Sequence, residues 1–422
     1  MWQLGRATFL PALAVSQLVT SAPALNARRS VFDDVSLSPS GQNLCGVPTQ
    51  DLSPLCGLSS GDPLRKRRQP AGELHDDPGR HRVAAARRHG AHHPHRARDV
   101  RRAAQRDAPG PPDAAGQTNA PYQGVVSYAD VQSDTDRANE VTVVWSAANS
   151  DSTGKITDNA VTSVLTVAPT WEAALTGTGP TGHPVPAATP PGSRDFRLYH
   201  IDMRNTAAAR SVGPALALGV AYARASFYGC GFYSFQDTVY VGQRGGAFFY
   251  DCVVAGEVDF LYGFGTAWVE RSTLALRNCG GGITAWKGTN TTFPNKYGAY
   301  VSSSRVIAAN STIAAAIEGQ CPLGRPWNAL HRSVFMDTYL DASILPAGYI
   351  KWQDADPRFD TTTLEAVYRN QGPGYDEVAM AGSNVTTVLD DESVEPYSSP
   401  RKVFMGWEGE PNDLNWIDQS VL

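Results

Sequence analysis

The 422-residue chain is long enough for one large domain or two ordinary ones, and 42% hydrophobic residues with 39 glycines suit a turn-rich globular protein. No stretch beyond the N-terminus approaches the 18 or so apolar residues of a membrane-spanning helix, which argues against a membrane protein. The formal net charge is only −5 at pH 7. Residues 1–24 read as a secretory signal: basic Arg6, an apolar run from Ala7 to about Val19, then the small residues Ser21-Ala22-Pro23-Ala24. A secreted, extracellular protein is the expectation. The six cysteines and the sequons at Asn290, Asn310 and Asn384 agree with an oxidising compartment and glycosylation.

Residues 25–118 form an N-terminal segment with an anomalous composition. Between 65 and 106 stand 12 arginines, one lysine and six of the nine histidines, with Val83 and Val100 the only β-branched residues and no aromatic ring. Such a stretch cannot bury enough apolar surface to fold alone, and it is expected to be disordered. Arg, Ala, Pro and Gly have GC-rich codons, so a GC-rich coding sequence read out of frame would also have this composition. The stretch holds 13 of the 36 basic residues but 4 of the 41 acidic ones, which leaves 23 against 37 elsewhere, a net of −14. The folded part is acidic, which argues against nucleic acid as a partner.

Residues 119–395 carry the predicted fold, and 396–422 a C-terminal tail. Short β-type runs recur between Gly, Asn, Asp and Pro: Val125–Tyr128, Val141–Trp145, Phe196–Ile201, Ala247–Tyr250, Ala267–Glu270, Tyr297–Val301 and Ser333–Met336. Residues 176–194 are rich in Pro, Gly and Thr and read as a long loop. No strong helical period interrupts the strands. One strand set per 20–30 residues suggests an all-β protein, a parallel β-helix rather than a sandwich or barrel.

Two stretches echo each other at a spacing of 22. Residues 227–240 read Phe227-Tyr228-x-Cys230-x6-Asp237-x-x-Tyr240, and residues 249–262 read Phe249-Tyr250-x-Cys252-x6-Asp259-x-x-Tyr262. Stacked coils would set Asp237 and Asp259 side by side, roughly 5 Å apart. Such a pair costs electrostatic energy and points to a function rather than to a structural repeat. Cys230 and Cys252 share the register, so a bridge or a ladder of buried thiols both fit; Cys45 and Cys56 are close enough for a local bridge. No His/Cys cluster has zinc spacing, and no cofactor or metal is expected.

Gln236-Asp237-Thr238, Val258-Asp259-Phe260-Leu261-Tyr262-Gly263, Leu323-Gly324-Arg325-Pro326-Trp327 and Tyr368-x-Asn370-x-Gly372-Pro373-Gly374 occur in that order. Together they resemble the pectin methylesterases (pectinesterases) over about residues 195–375, and the texture and long loops look most like the fungal members. The resemblance implies a right-handed parallel β-helix, methyl-esterified homogalacturonan as substrate, and a monomer. It implies Asp259 as the nucleophile on the methyl-ester carbonyl and Asp237 as the acid that protonates methanol, then the base for water. Arg325 would hold Asp259 ionised, and Gln236 would donate to the oxyanion. Trp327 and Trp352 would stack sugar rings, with Tyr240 and Tyr262 as further candidates for which core packing is an equal alternative.

Three departures accompany the match. Pro214 stands where the family has a second oxyanion glutamine, 22 residues before Gln236, and proline has no donor. Trp286 follows Ile283-Thr284-Ala285 where the family often has glutamine. The early Gly-x-Tyr-x-Glu region of the first coils is not recognisable, which predicts an exposed strand edge. A non-catalytic or weakly active pectin-binding β-helix is therefore the alternative to an esterase. A polygalacturonase is the third reading, and its Asn-Thr-Asp, Gly-His-Gly and Arg-Ile-Lys motifs are missing.

Overall fold

In a computed structural model of the protein, residues 139–150, 156–177, 185–288, 296–406 and 410–422 are described, together with the backbone of three short strands between 100 and 115. All lie within one compact unit, Val35–Leu422. The proposed signal segment, Cys45, Cys56 and the Val125–Tyr128 run fall outside the described residues.

Three parallel sheets run side by side among the described residues. The first has eight strands, including Val141–Trp145, Ile201–Asn205, Gly231–Tyr233, Val253–Gly256, Thr273–Leu276 and Arg305–Ala308. The second has seven, including Leu165–Val167, Leu218–Val220, Val239–Val241, Val258–Gly263, Gly282–Trp286 and Gly324–Pro326. The third has nine, including Phe196–Tyr199, Arg224–Tyr228, Gly246–Tyr250, Thr266–Glu270, Gly298–Ser302, Arg332–Met336 and Leu364–Tyr368. The chain visits third, first and second sheet in turn, and each strand pairs with its equivalent one coil away. That is a parallel β-helix.

The 22-residue echo is one such coil. Gly231 pairs with Val253 in the first sheet and Tyr240 with Tyr262 in the second. Inside, Phe227 and Phe249 stack at 5.0 Å with Phe232 edge-on to both. Cys230 and Cys252 are buried free thiols, the ladder rather than the bridge. Among the described residues the disulfide is Cys279–Cys321, which the spacing gave no reason to expect. Tight corners explain the short runs. His200, Asp251, Arg271, Ser303, Asp337 and Arg369 each hold a left-handed backbone (φ 47–53°) between third and first sheets. The single run expected over Phe196–Ile201 is therefore two strands, broken at His200.

Two assignments from sequence differ in the structure. Five residues of the arginine-rich stretch and three just after it enter strands: Val100–Arg101, Ala104–Arg106 and Asp113–Ala115 pair with Val143–Val144, Leu165–Val167 and Arg197–Tyr199. They provide backbone partners for the first well-defined coil, so an edge expected to be open is paired there. The segment 396–422 is not a separate tail. Phe404, Leu414, Trp416 and Ile417 cover the outer aromatic ladder Tyr228, Phe248, Trp268 and Tyr300 of the third sheet. That apolar face would otherwise meet water, at a cost that scales with its area.

Candidate active site

The outer face of the second sheet is built by period-two alternation. Tyr240, Tyr262, Ala285 and Arg325 are consecutive register partners and share a face. Trp286, one residue on from Ala285, points inward, fully buried, with its indole N–H on the Gly265 carbonyl at 2.9 Å. The position where glutamine was expected therefore packs the core and does not face a substrate.

Asp237 and Asp259 lie at the corner between first and second sheets, both with left-handed backbone (φ 58° and 45°). Aspartate tolerates this conformation better than most residues, and such strain concentrates at working sites. Between Val258 and Leu261 the pairing register shifts, and that irregularity carries Asp259. Gln236 bridges Val258, so the two aspartates are equivalent residues of adjacent coils. Both are nearly buried, at 7% and 6% exposure.

Their surroundings make them unequal. Arg325 donates from Nε to Asp259 Oδ1 at 3.0 Å and from Nη2 to Oδ2 at 2.7 Å, a two-point grip that favours the carboxylate. Burial pushes the Asp259 pKa up, and these two bonds oppose it. Asp237 is pushed well above the usual carboxylate range by burial first and then by the charge of Asp259. The surroundings thus favour the proton on Asp237 and the charge on Asp259, an arrangement that can serve as an acid next to a nucleophile.

Gln236 presents its amide at the same corner, and its Oε1 accepts from Ser211 Oγ at 2.7 Å, which orients the NH2 group. Ala215 N donates to the Gln236 carbonyl just as Asp237 N donates to that of Val258, each at 3.0 Å. Pro214 is thus the coil-equivalent of Gln236, as the 22-residue spacing indicated. Near it the structure adds a residue the sequence did not single out. Asn159 Nδ2 donates to Asp237 Oδ2 at 3.2 Å, and Asn149 Nδ2 donates to Asn159 Oδ1 at 2.8 Å. Asn159 opens a 3-10 helix, Asn159–Thr162, whose cap Asp158 accepts from Ala160 N. A lone Asn far upstream carries no motif; only the coil stacking brings it 78 residues across to Asp237.

The four candidate sugar platforms separate. Trp327 is partly exposed and packs on Tyr262 at 5.5 Å between centroids. Tyr262 in turn packs on Tyr240 at 4.9 Å, and both tyrosines are 2% exposed. They support Trp327 from beneath and do not offer a face to a sugar, so for them core packing holds. Trp352 stands under two guanidiniums, Arg325 at 4.0 Å and Arg358 at 4.2 Å from its ring. Its stacking partners are already protein groups, and it braces the arm of Arg325. A cavity of about 710 Å3 opens at residues such as Tyr222, Arg224, Phe264 and Trp416 and shares no residue with the aspartate cluster. Among the described residues no group of three His, Cys, Asp or Glu is arranged to hold a metal ion.

The pectinesterase family model matches residues 186–403, which takes in every residue of this cluster except Asn149 and Asn159. Pectinesterase 31 of Arabidopsis thaliana is 34% identical over 180 residues, 43% of this chain and 53% of that protein. Pectinesterase 2 of Citrus sinensis is 33% identical over 183 residues, 43% of this chain and 35% of that protein. This chain spans between 31% and 59% of the length of the curated relatives it matches. In three dimensions it resembles the pectin methylesterase from Aspergillus niger in its deglycosylated form, with a TM-score of 0.51 and 21% identity over 75% of this chain and 86% of that one. That likeness supports the β-helix fold.

Proposed function

Since the chain belongs to the pectinesterase family, we propose that it hydrolyses methyl esters of homogalacturonan through an aspartyl nucleophile. The observation that carries this reading is the two-point grip of Arg325 on Asp259 beside a buried Asp237 that favours its proton. An Asp259 oxygen attacks the ester carbonyl carbon, and Gln236 Nε2 donates to the oxyanion that forms. The carbon–methoxy bond breaks as Asp237 delivers its proton, and methanol leaves. The acyl-enzyme is then attacked by water, whose proton returns to Asp237, and galacturonate departs with Asp259 regenerated.

Methanol release from highly methylated pectin tests this directly. Asp259→Ala should abolish release while polysaccharide binding persists; unchanged release in that variant would remove the aspartyl mechanism. The second reading, a non-catalytic pectin-binding β-helix, is favoured by Pro214, which fills a donor's place with a residue that has none. Binding without methanol release from the unmodified protein would establish it.

The protein is proposed to be secreted. Support comes from the N-terminal apolar stretch, the sequons and the Cys279–Cys321 disulfide, a bond of oxidising compartments. A monomer is proposed because the chain's own C-terminal residues cover the apolar outer face of the third sheet. The finer placement among the fungal members rests on loop length and sequence texture, and the two relatives named above are plant proteins.

A further inference from the structure

Lys287 is fully buried, yet it lies on the substrate side of the second sheet. It directly follows Trp286, and its Nζ stands 3.5 Å from the centroid of the Trp327 ring and 5.4 Å from that of Phe264. Because the lysine is enclosed, the ring face it meets is the protein side, and the partly exposed remainder of Trp327 is turned outward. The two segments are tied together around this contact. Trp327 N donates to the Trp286 carbonyl at 2.9 Å; Gly288 N donates to Asn328 Oδ1 at 3.1 Å and Asn328 Nδ2 returns to the Gly288 carbonyl at 2.9 Å. Trp327 is two residues from Arg325, so its setting is continuous with the arm that holds Asp259.

We propose that Lys287 is a positioning residue: its ammonium fixes Trp327 as a wall of the substrate cleft, and loss of its proton releases that wall. The substrate part rests on the pectinesterase reading; the ring contact does not. An ammonium over an indole face is held by the ring quadrupole, and the attraction grows when both are desolvated. A neutral amine loses most of it. The charged groups around the contact fix its direction with pH. Asp158 favours the ammonium, but its carboxylate is already engaged by Ala160 N, Thr176 N and hydroxyl, and Gly177 N. Tyr262 packs on Trp327 with ring centroids 5.5 Å apart, and Arg358 Nη1 donates to the Trp327 carbonyl at 3.1 Å. Burial outweighs Asp158 and lowers the Lys287 pKa to about 7. The wall is therefore set below neutrality and freed above it.

Two readouts test this on the full chain. Fluorotryptophan-labelled protein is titrated by 19F NMR, with the Trp327 signal assigned by its loss in Trp327→Phe. That signal should move with a midpoint near pH 7 in the unmodified protein and stay flat in Lys287→Met. In methanol-release kinetics, KM for methylated pectin should rise roughly tenfold between about pH 5.5 and about pH 8.5, with a smaller change in kcat. Lys287→Met should show the high KM throughout, and Lys287→Arg the low KM throughout, since a guanidinium keeps its proton. A Trp327 signal that does not titrate, or the same KM profile in all three proteins, overturns the proposal. Should Lys287→Met fail to fold, the unmodified protein and Lys287→Arg still decide it. Absence of any methanol release would sink the pectinesterase reading alone, and the NMR titration would still judge Lys287.

Discussion

Asp237 and Asp259 are equivalent residues of adjacent coils, and Arg325 bonds both oxygens of Asp259 while Asp237 receives the neutral amide of Asn159. One repeat position is thus divided into a carboxyl group gripped by a guanidinium and a carboxyl group met by an amide. The division follows from reach: Arg325 reaches back over Gly281 from the strand two coils beyond Asp259, and Asn159 comes from the side of Asp237 that faces earlier coils.

If the proposed mechanism operates, removing Asp237 should cost more than removing its partner Asn159. Asp237→Asn is expected to lower kcat by about 10²–10⁴-fold, the usual worth of a general acid–base. Asn159→Ala should lower kcat only about tenfold. An amide N–H stabilises the ionised carboxylate, so its loss raises the Asp237 pKa further and moves the alkaline limb of the kcat/KM profile upward. Methanol-release profiles of the two variants check both statements; an unmoved limb in Asn159→Ala would leave Asn159 a structural residue.

Pro214→Gln should speed the proposed methanol release. The substitution puts an amide at the coil-equivalent of Gln236, on the side where the carbonyl of residue 214 already accepts from Asn149 N at 2.7 Å. One oxyanion donor is worth about 10²–10³-fold in kcat. A gain of even tenfold, with KM little changed, would identify Pro214 as the limit on rate; an unchanged kcat would show that the site does not need that donor.

Gly281→Ala should weaken the proposed methanol release without unfolding the protein. A Cβ at Gly281 would come within 2.1 Å of Arg325 Cζ, so the guanidinium must move and its grip on Asp259 loosens. Gly281 is held close by the Cys279–Cys321 disulfide, which joins the approaches to Gly282–Trp286 and Gly324–Pro326. A large fall in kcat with Tm nearly unchanged is expected. Normal activity would mean that Arg325 can hold Asp259 by another route.

Glu365 sets a pH dependence of stability. It is fully buried with neither oxygen hydrogen-bonded, and burial pushes its pKa well above the usual range. In the unfolded chain it titrates near about 4.3. As pH rises past that value the unfolded state sheds the proton first, binds fewer protons than the native state, and stability falls. Glu365→Gln removes this penalty. Its Tm should exceed that of the unmodified protein at pH 7, and the difference should vanish at about pH 4. A difference that persists in acid would contradict this account.

Acid acts in the opposite sense through two buried histidines. Burial lowers the pKa of His331 to about 3 and of His200 to about 4. Their unfolded pKa near about 6.5 lies higher, so the stability they contribute is full above it and is lost as pH falls toward their folded values. Thermal scans should therefore show a shallow optimum between the histidine and Glu365 regimes, and His331→Gln should flatten the acid side.

The coil architecture was legible because stacking demands repetition. An aromatic pair, a cysteine and an aspartate returning after 22 residues survive in a linear reading, and so does Pro214 one period earlier. Asp237 and Asp259 were legible for the same reason, whereas Gln236 and Arg325 were legible only through the resemblance to pectinesterase motifs. What the linear chain does not encode is direction. Whether a residue beside a strand faces in or out changes with each step of one, so Trp286 packs inward while Lys287, which no motif marks, meets Trp327, and Tyr240 and Tyr262 are supports. Contacts across many coils leave no local mark either. Asn159 reaches Asp237, Cys279 reaches Cys321, and the last 20 or so residues close the third sheet only because the β-helix brings distant segments to one face. The sequence by itself determined the repeat and the chemistry it could hold. Tertiary structure supplied the physical difference between the two aspartates, a guanidinium on one and an amide on the other, since a pKa is set by burial and neighbouring charge rather than by residue type.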